Sequence, residues 1–210
     1  FVGGGNGYVT AWYDQSGNGR NLTQVTNARQ PVLVAGGVIN REHNKPFIRF
    51  WGVVATSFNS LNLSTGMSTV GHVSAIVRFI AGGHGFILSH TGAYRWHSTP
   101  ANYMIDAANA STSVRNGSAW YNGNATITTS VSWPATLTII ELAPQTPSSL
   151  TEWDNIGNDR SCCHYLSGGG GYSELIVFGF ALPVLDRQNM ETNQKNYFSI
   201  GTVLPVSWLS

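Results

Sequence analysis

The amino-acid sequence predicts an all-β protein, an antiparallel β-sandwich with one short C-terminal helix. Three observations lead there. Short apolar, β-prone runs recur along the chain, separated by turns rich in Gly, Asn and Ser. Residues 72–80 alternate, with Val73, Ala75, Val77 and Phe79 on one face, as a half-buried strand should. Only residues 185–198 read as a helix. A string of strands without alternating helices excludes a parallel α/β fold. With no linker, strict repeat or charge block, residues 1–210 read as one domain, a length that suits a large sandwich.

In chain order, residues 8–13 form the first apolar run, with Trp12, like Trp51 later, assigned to core or inter-sheet packing. The run breaks at Asp14-Gln15-Ser16-Gly17-Asn18-Gly19, where glycines permit positive φ and Asp14 is placed to make a local Asx bond. Residues 32–34, 38–39 and 47–51 are the next strands, and residues 86–89, 94–97 and 103–105 are further candidates. Asn122-Gly123, set between Trp120-Tyr121 and Asn124-Ala125-Thr126, is the sharpest hairpin signal, because both central positions of a type I′ turn need φ > 0. Residues 135–142 and 174–180 are the longest remaining apolar runs and are expected at the centre of a sheet. In the helix, Met190 and Tyr197 lie seven apart on one face, with Gly201 as the stop.

Only 10% of residues are charged, far below the roughly 25% of ordinary soluble domains, while 42% are hydrophobic and 11% aromatic. Such a polar, weakly charged surface suits exported or virion proteins that meet neutral partners. The net charge of +1 without a basic run gives no footprint for nucleic acid. No apolar stretch approaches the roughly 20 residues that span a bilayer, so membrane insertion is not expected. Phe1 in place of a starting Met reads as a start inside a longer polypeptide. The adjacent Cys162 and Cys163 form no disulfide framework and no metal site, and two reduced thiols are expected over a strained ring between neighbours.

Two stretches carry a resemblance. Trp12-Tyr13-Asp14-Gln15-Ser16-Gly17-Asn18-Gly19, followed by Gln30-Pro31 and Lys45-Pro46-Phe47-Ile48-Arg49-Phe50, resembles a pattern of concanavalin A-like domains in bacterial surface and phage structural proteins. Catalytic domains of arabinofuranosidase B share that motif. Asn155-Ile156-Gly157-Asn158, then Gly171-Tyr172-Ser173-Glu174-Leu175-Ile176-Val177-Phe178 and the helix, is similar to the closing part of laminin G-like sandwiches. The resemblance implies a jelly-roll topology over nearly the whole chain. In such relatives further sequence precedes the first motif, which implies that one sheet here is short of a strand. Function must still be argued from a site.

A glycosidase needs two facing carboxyl groups, about 5–5.5 Å apart if retaining and about 6.5–9.5 Å if inverting. Of the ten acidic residues, Glu152, Asp154 and Asp159 are the best candidates, and Glu141 points either into a cleft or out of the sheet. The cysteine pair lies too near the C-terminus to match the arabinofuranosidases, so no catalytic residue is carried over. The histidines show no HExxH-like spacing, and neither a metal nor a cofactor is expected.

Aromatic residues point instead to binding. Sugar rings stack their C–H faces on Trp and Tyr while neighbouring Asn, Asp and His bond the hydroxyls. Tyr94, Trp96 and His97 combine these types, as do Trp153 with Asp154 and Asp159 with His164 and Tyr165. These eight residues are the expected ligand site. The expected function is a non-catalytic module binding neutral carbohydrate on a cell or virion surface. The alternatives are a structural domain contacting other parts of a surface or virion assembly, with homo-oligomers left open, and an arabinofuranosidase-like hydrolase.

Overall fold

A computed structural model describes residues 2–54, 57–79, 88–89, 96, 103–126, 129–145, 153–159, 164–165 and 170–201. The first strands are β1 (Gly7–Tyr8), β2 (Ala11–Trp12), β3 (Leu22–Thr23), β4 (Val32–Ala35), β5 (Val38–Ile39), β6 (Arg41–Glu42) and β7 (Lys45–Pro46). β8 (Ile48–Arg49), β9 (Gly52–Val54), β10 (Ser57–Phe58), β11 (Leu61–Met67) and β12 (His72–Arg78) follow. After a single helical turn, α1 (Thr112–Arg115), come β13 (Ser118–Tyr121), β14 (Asn124–Thr126) and β15 (Thr138–Ala143). β16 (Trp153–Ile156), β17 (Asn158–Asp159), β18 (His164–Tyr165), β19 (Gly171–Phe178) and the helix α2 (Val184–Phe198) complete the chain.

The fold is an antiparallel β-sandwich. One sheet runs β1-β4-β8-β19-β12-β15-β13-β14, with β5 against β4; the other runs β16-β11-β3-β2. The two expected central strands, β15 and β19, flank β12. Val73, Ala75, Val77 and Phe79 point inward as the alternation requires, and meet Leu22, Leu61, Met67, Trp153 and Ile156 of the smaller sheet. Residues 8–13 are not one strand. β1 pairs with β4 and β2 with β3, and Val9, whose N–H donates to Pro31 O at 2.8 Å, is buried where the chain crosses between sheets.

The hairpin forms as the turn chemistry demands, with φ of 50° at Asn122 and 83° at Gly123. The Asn122 side chain also accepts the Ile139 N–H at 2.9 Å, tying the turn to β15. Residues 103–105 do not form the expected strand beyond a bridge from Tyr103 to Ser132. The Asp106 carboxylate takes the N–H groups of Ala108 and Asn109, which turns the chain there, and Met104 and Ile105 are buried.

The helix forms where expected but presents another face. Arg187, Glu191, Gln194 and Phe198 point inward at spacings of four and three, while Tyr197 stays exposed and Met190 half-buried. It also ends before Gly201: Ser199 takes the left-handed conformation at φ 53°, and Phe198 and Ile200 dock with Phe47, Ile76, Leu137 and Ile139 in a second apolar cluster. The outer face of β12 and β15 is thereby covered.

Candidate functional site

Among the described residues, clefts open at two places on the sandwich. The first lies beneath the turn between β2 and β3. Gly17 and Gly19 take φ of 82° and 71°, and the Asp14 carboxylate accepts the N–H of Ser16 at 2.8 Å and of Arg20 at 2.9 Å. The Ser16 hydroxyl, the Arg20 N–H and the Ser16 N–H hold the Asp14 carboxyl down at about 2, so it is ionised at any neutral pH. Tied by its own side chains, the turn roofs a cavity of about 500 Å³ floored by Trp12, Leu63, Met67, Leu88, Leu175 and Val177. Glu174 also lines it, its Oε2 accepting Gln194 Nε2 at 2.8 Å.

The second cleft, about 570 Å³, is shallower and carries no charged side chain among its lining residues Tyr8, Asn27, Ala28, Gln30, Val32, Trp51 and Asn59. Tyr8 is 53% and Trp51 48% exposed. Asn59 braces the wall: its Oδ1 accepts the Trp51 N–H at 2.5 Å and its Nδ2 donates to Gln30 O at 2.9 Å. Gln30 Nε2 donates to Gln24 O at 3.0 Å and to Asn27 Oδ1 at 3.3 Å. Gln30 Oε1 and Asn27 Nδ2 have no hydrogen-bond partner among the described residues, which leaves an acceptor and a donor beside two aromatic rings.

Trp51 was assigned to packing, and the structure corrects this. Phe50 fills the core with no exposure, so its neighbour must face the other way. The same alternation sets Tyr8 outward beside buried Val9. That signal was available in the sequence; what was not available was the turn Asn27–Arg29 that brings the amides alongside.

The expected site residues divide. Trp96 and Trp153 are fully buried and belong to the core, a second correction: Trp153 pairs with Met67 on β11 and points between the sheets. Asp154, one residue on, is half-buried on the opposite face. The hairpin β17–β18 sets Asp159 opposite His164 and Asn158 opposite Tyr165, so the backbone brings Asp159, His164 and Tyr165 together. Tyr94, His97, Glu152, Cys162 and Cys163 lie outside the described residues. Ser89 is 1% exposed, its hydroxyl bonded to the Asn155 side chain and to Asn158 O, and so it is a core anchor.

Glu141 and Asp14 serve as anchors too. Glu141 neither enters a cleft nor meets solvent: it is fully buried under α2, 2.9 Å from Arg187 Nη1 and 3.3 Å from His72 Nε2. Asp14 and Glu174 share the first cleft, but both Asp14 oxygens are taken by the turn, and a carboxyl ionised down to about 2 supplies no acid to a glycosidic oxygen. Among the described residues no group of three His, Cys, Asp or Glu side chains converges as metal ligands, and no helix is long and apolar enough to cross a membrane. Compared with protein-family models, with curated proteins and with solved structures, the chain matches none.

Proposed function

We propose that this sandwich is a concanavalin A-like recognition module that binds neutral carbohydrate on a cell or virion surface, through the cleft of Tyr8 and Trp51. The observation that carries the reading is the pairing of two half-exposed aromatic rings with amides in a cleft lined by no charge. The rings offer apolar faces to sugar C–H groups, and Asn27 and Gln30 offer a donor and an acceptor to hydroxyls. The low charge of the whole chain supports an uncharged ligand.

A glycan array on the isolated chain, repeated with Trp51→Ala and Tyr8→Ala, tests this. Hits are expected, weakened at least about tenfold by each substitution, which corresponds to about 1.4 kcal/mol. Hits unchanged by Trp51→Ala would move the site elsewhere. A second reading, a structural domain of a surface or virion assembly, has one observation in its favour: Phe180, just after β19, and Val184 and Leu185, at the start of α2, all expose apolar side chains. No glycan hits together with an obligate oligomer in solution would establish it in place of the first.

A further inference from the structure

The strands β12 and β19 are neighbours in one sheet, yet they are buried very differently. In β12 six consecutive residues, from His72 to Val77, are fully buried. In β19 only Gly171 and Tyr172 are, and residues 173–178 are all half-exposed. The cause is pairing. β12 has β15 on one side and β19 on the other, whereas β8 pairs with β19 only through Gly171 and Tyr172. Beyond that point the β8 ladder ends, although Pro46 O still accepts the Ser173 hydroxyl at 3.0 Å. Among the described residues no strand pairs with residues 173–178 on the edge away from β12.

This edge does not face open water. It borders the cavity of about 500 Å³ beneath the turn of Tyr13 to Arg20, whose floor joins Leu175 and Val177 to Trp12, Leu63 and Met67 of the smaller sheet. We propose that the edge of residues 173–178 binds an extended, uncharged peptide segment of a partner polypeptide, added to the large sheet as a further strand. Every second residue of the edge directs its N–H and C=O outward, so six residues offer about three such pairs. An added strand about 4.8 Å away meets them, and its own alternate side chains fall onto the apolar floor. The side chains that face Leu63, Met67, Leu175 and Val177 must be apolar, since a charge there loses its water, while Asp14 and Glu174 of the same cleft are already engaged by the turn and by Gln194. A sugar does not reproduce the repeat of the backbone groups. A second folded copy does not fit, because its own β19 lies beneath its own turn.

Amide hydrogen exchange on the whole chain tests the proposal, with an acetylated peptide of four Val-Thr repeats and two C-terminal lysines as the probe. In the free chain, alternate amides of residues 173–178 exchange at least tenfold faster than those of β12. The peptide slows these amides at least tenfold, and N-methylation of its alternate residues abolishes the effect on one phase and spares it on the other. Leu63→Glu removes the protection and Leu63→Met keeps it, with the melting curve of each variant checking that it folds. Full protection in the free monomer, no slowing at millimolar peptide, or equal binding by both N-methylated peptides would overturn the proposal. Protection that rises with protein concentration alongside dimers in sedimentation would assign the edge to a second copy instead. Trp51→Ala leaves the peptide effect unchanged, so this test and the glycan test fail separately.

Discussion

Around β12 and β15 the two faces of the large sheet are both closed to water, by opposite means. The inner face is closed by Val73, Ala75, Val77, Ile140 and Leu142 packed against the second sheet. The outer face is closed by α2 and ion pairs. Arg187 Nη1 lies 2.9 Å from Glu141 and 3.1 Å from Glu191, Lys195 Nζ lies 2.5 Å from Glu191, and the Arg187 guanidinium sits 4.5 Å over the Trp120 ring. Ser74 donates to Gln194 Oε1 at 2.9 Å beside them. Apolar contact is non-directional and forgiving of register. A buried ion pair adds little net stability but demands one geometry, so the helix is fixed in position by partners that are costly to leave unmatched.

Five variants test that contrast, in order of size. Arg187→Ala strands Glu141 in the sheet and is expected to cost about 3–5 kcal/mol in urea denaturation, whereas Glu141→Leu combined with Arg187→Leu returns to within about 1 kcal/mol of the parent or exceeds it. Equal losses for the single and double variants would show that packing, not charge, holds the helix. Next comes Gly123→Val. It forces a β-branched residue to positive φ and drives a Cβ against the Glu191 carboxylate, for a loss of about 1–3 kcal/mol by the same measurement. An unchanged midpoint would mean the hairpin does not touch the helix. On the inner face, Ile140→Val removes one methylene and should cost about 0.5–1.5 kcal/mol, a smaller penalty than breaking the ionic face.

The smallest effect concerns acid. Asp14 has a folded pKa of about 2 against an ordinary 3.8. The stability it contributes is therefore complete above about pH 4 and is lost as pH falls from there through about 2. Asp14→Asn should flatten that part of the thermal stability profile while leaving the outer-face network at neutral pH unchanged. A profile that still falls as steeply would assign acid sensitivity to other carboxylates.

Features that a strand or turn decides locally could be read from the residues alone. The alternation around Val73 set which side chains share a face, because the backbone repeat of two allows nothing else. Asn122-Gly123 and the turn after Asp14 were legible for the same reason. Gly157 was not legible in this way: at φ 92°, with a Cβ there only 2.5 Å from the Phe50 ring, the position admits glycine alone because the fold brings Phe50 against it. The helix was visible as a helix, but not its inward face. Arg187 and Glu191 look like solvent residues until Glu141, 46 positions earlier than Arg187, is brought opposite, and Glu141 meets His72 across 69 positions. The tryptophans were exchanged likewise: Trp153 in the core, Trp51 at a cleft. A residue's face is set by its own strand, but only the docking of distant elements decides whether that face meets water, a core or an ion pair. The docking is a balance of desolvation and pairing between groups that the chain order keeps far apart.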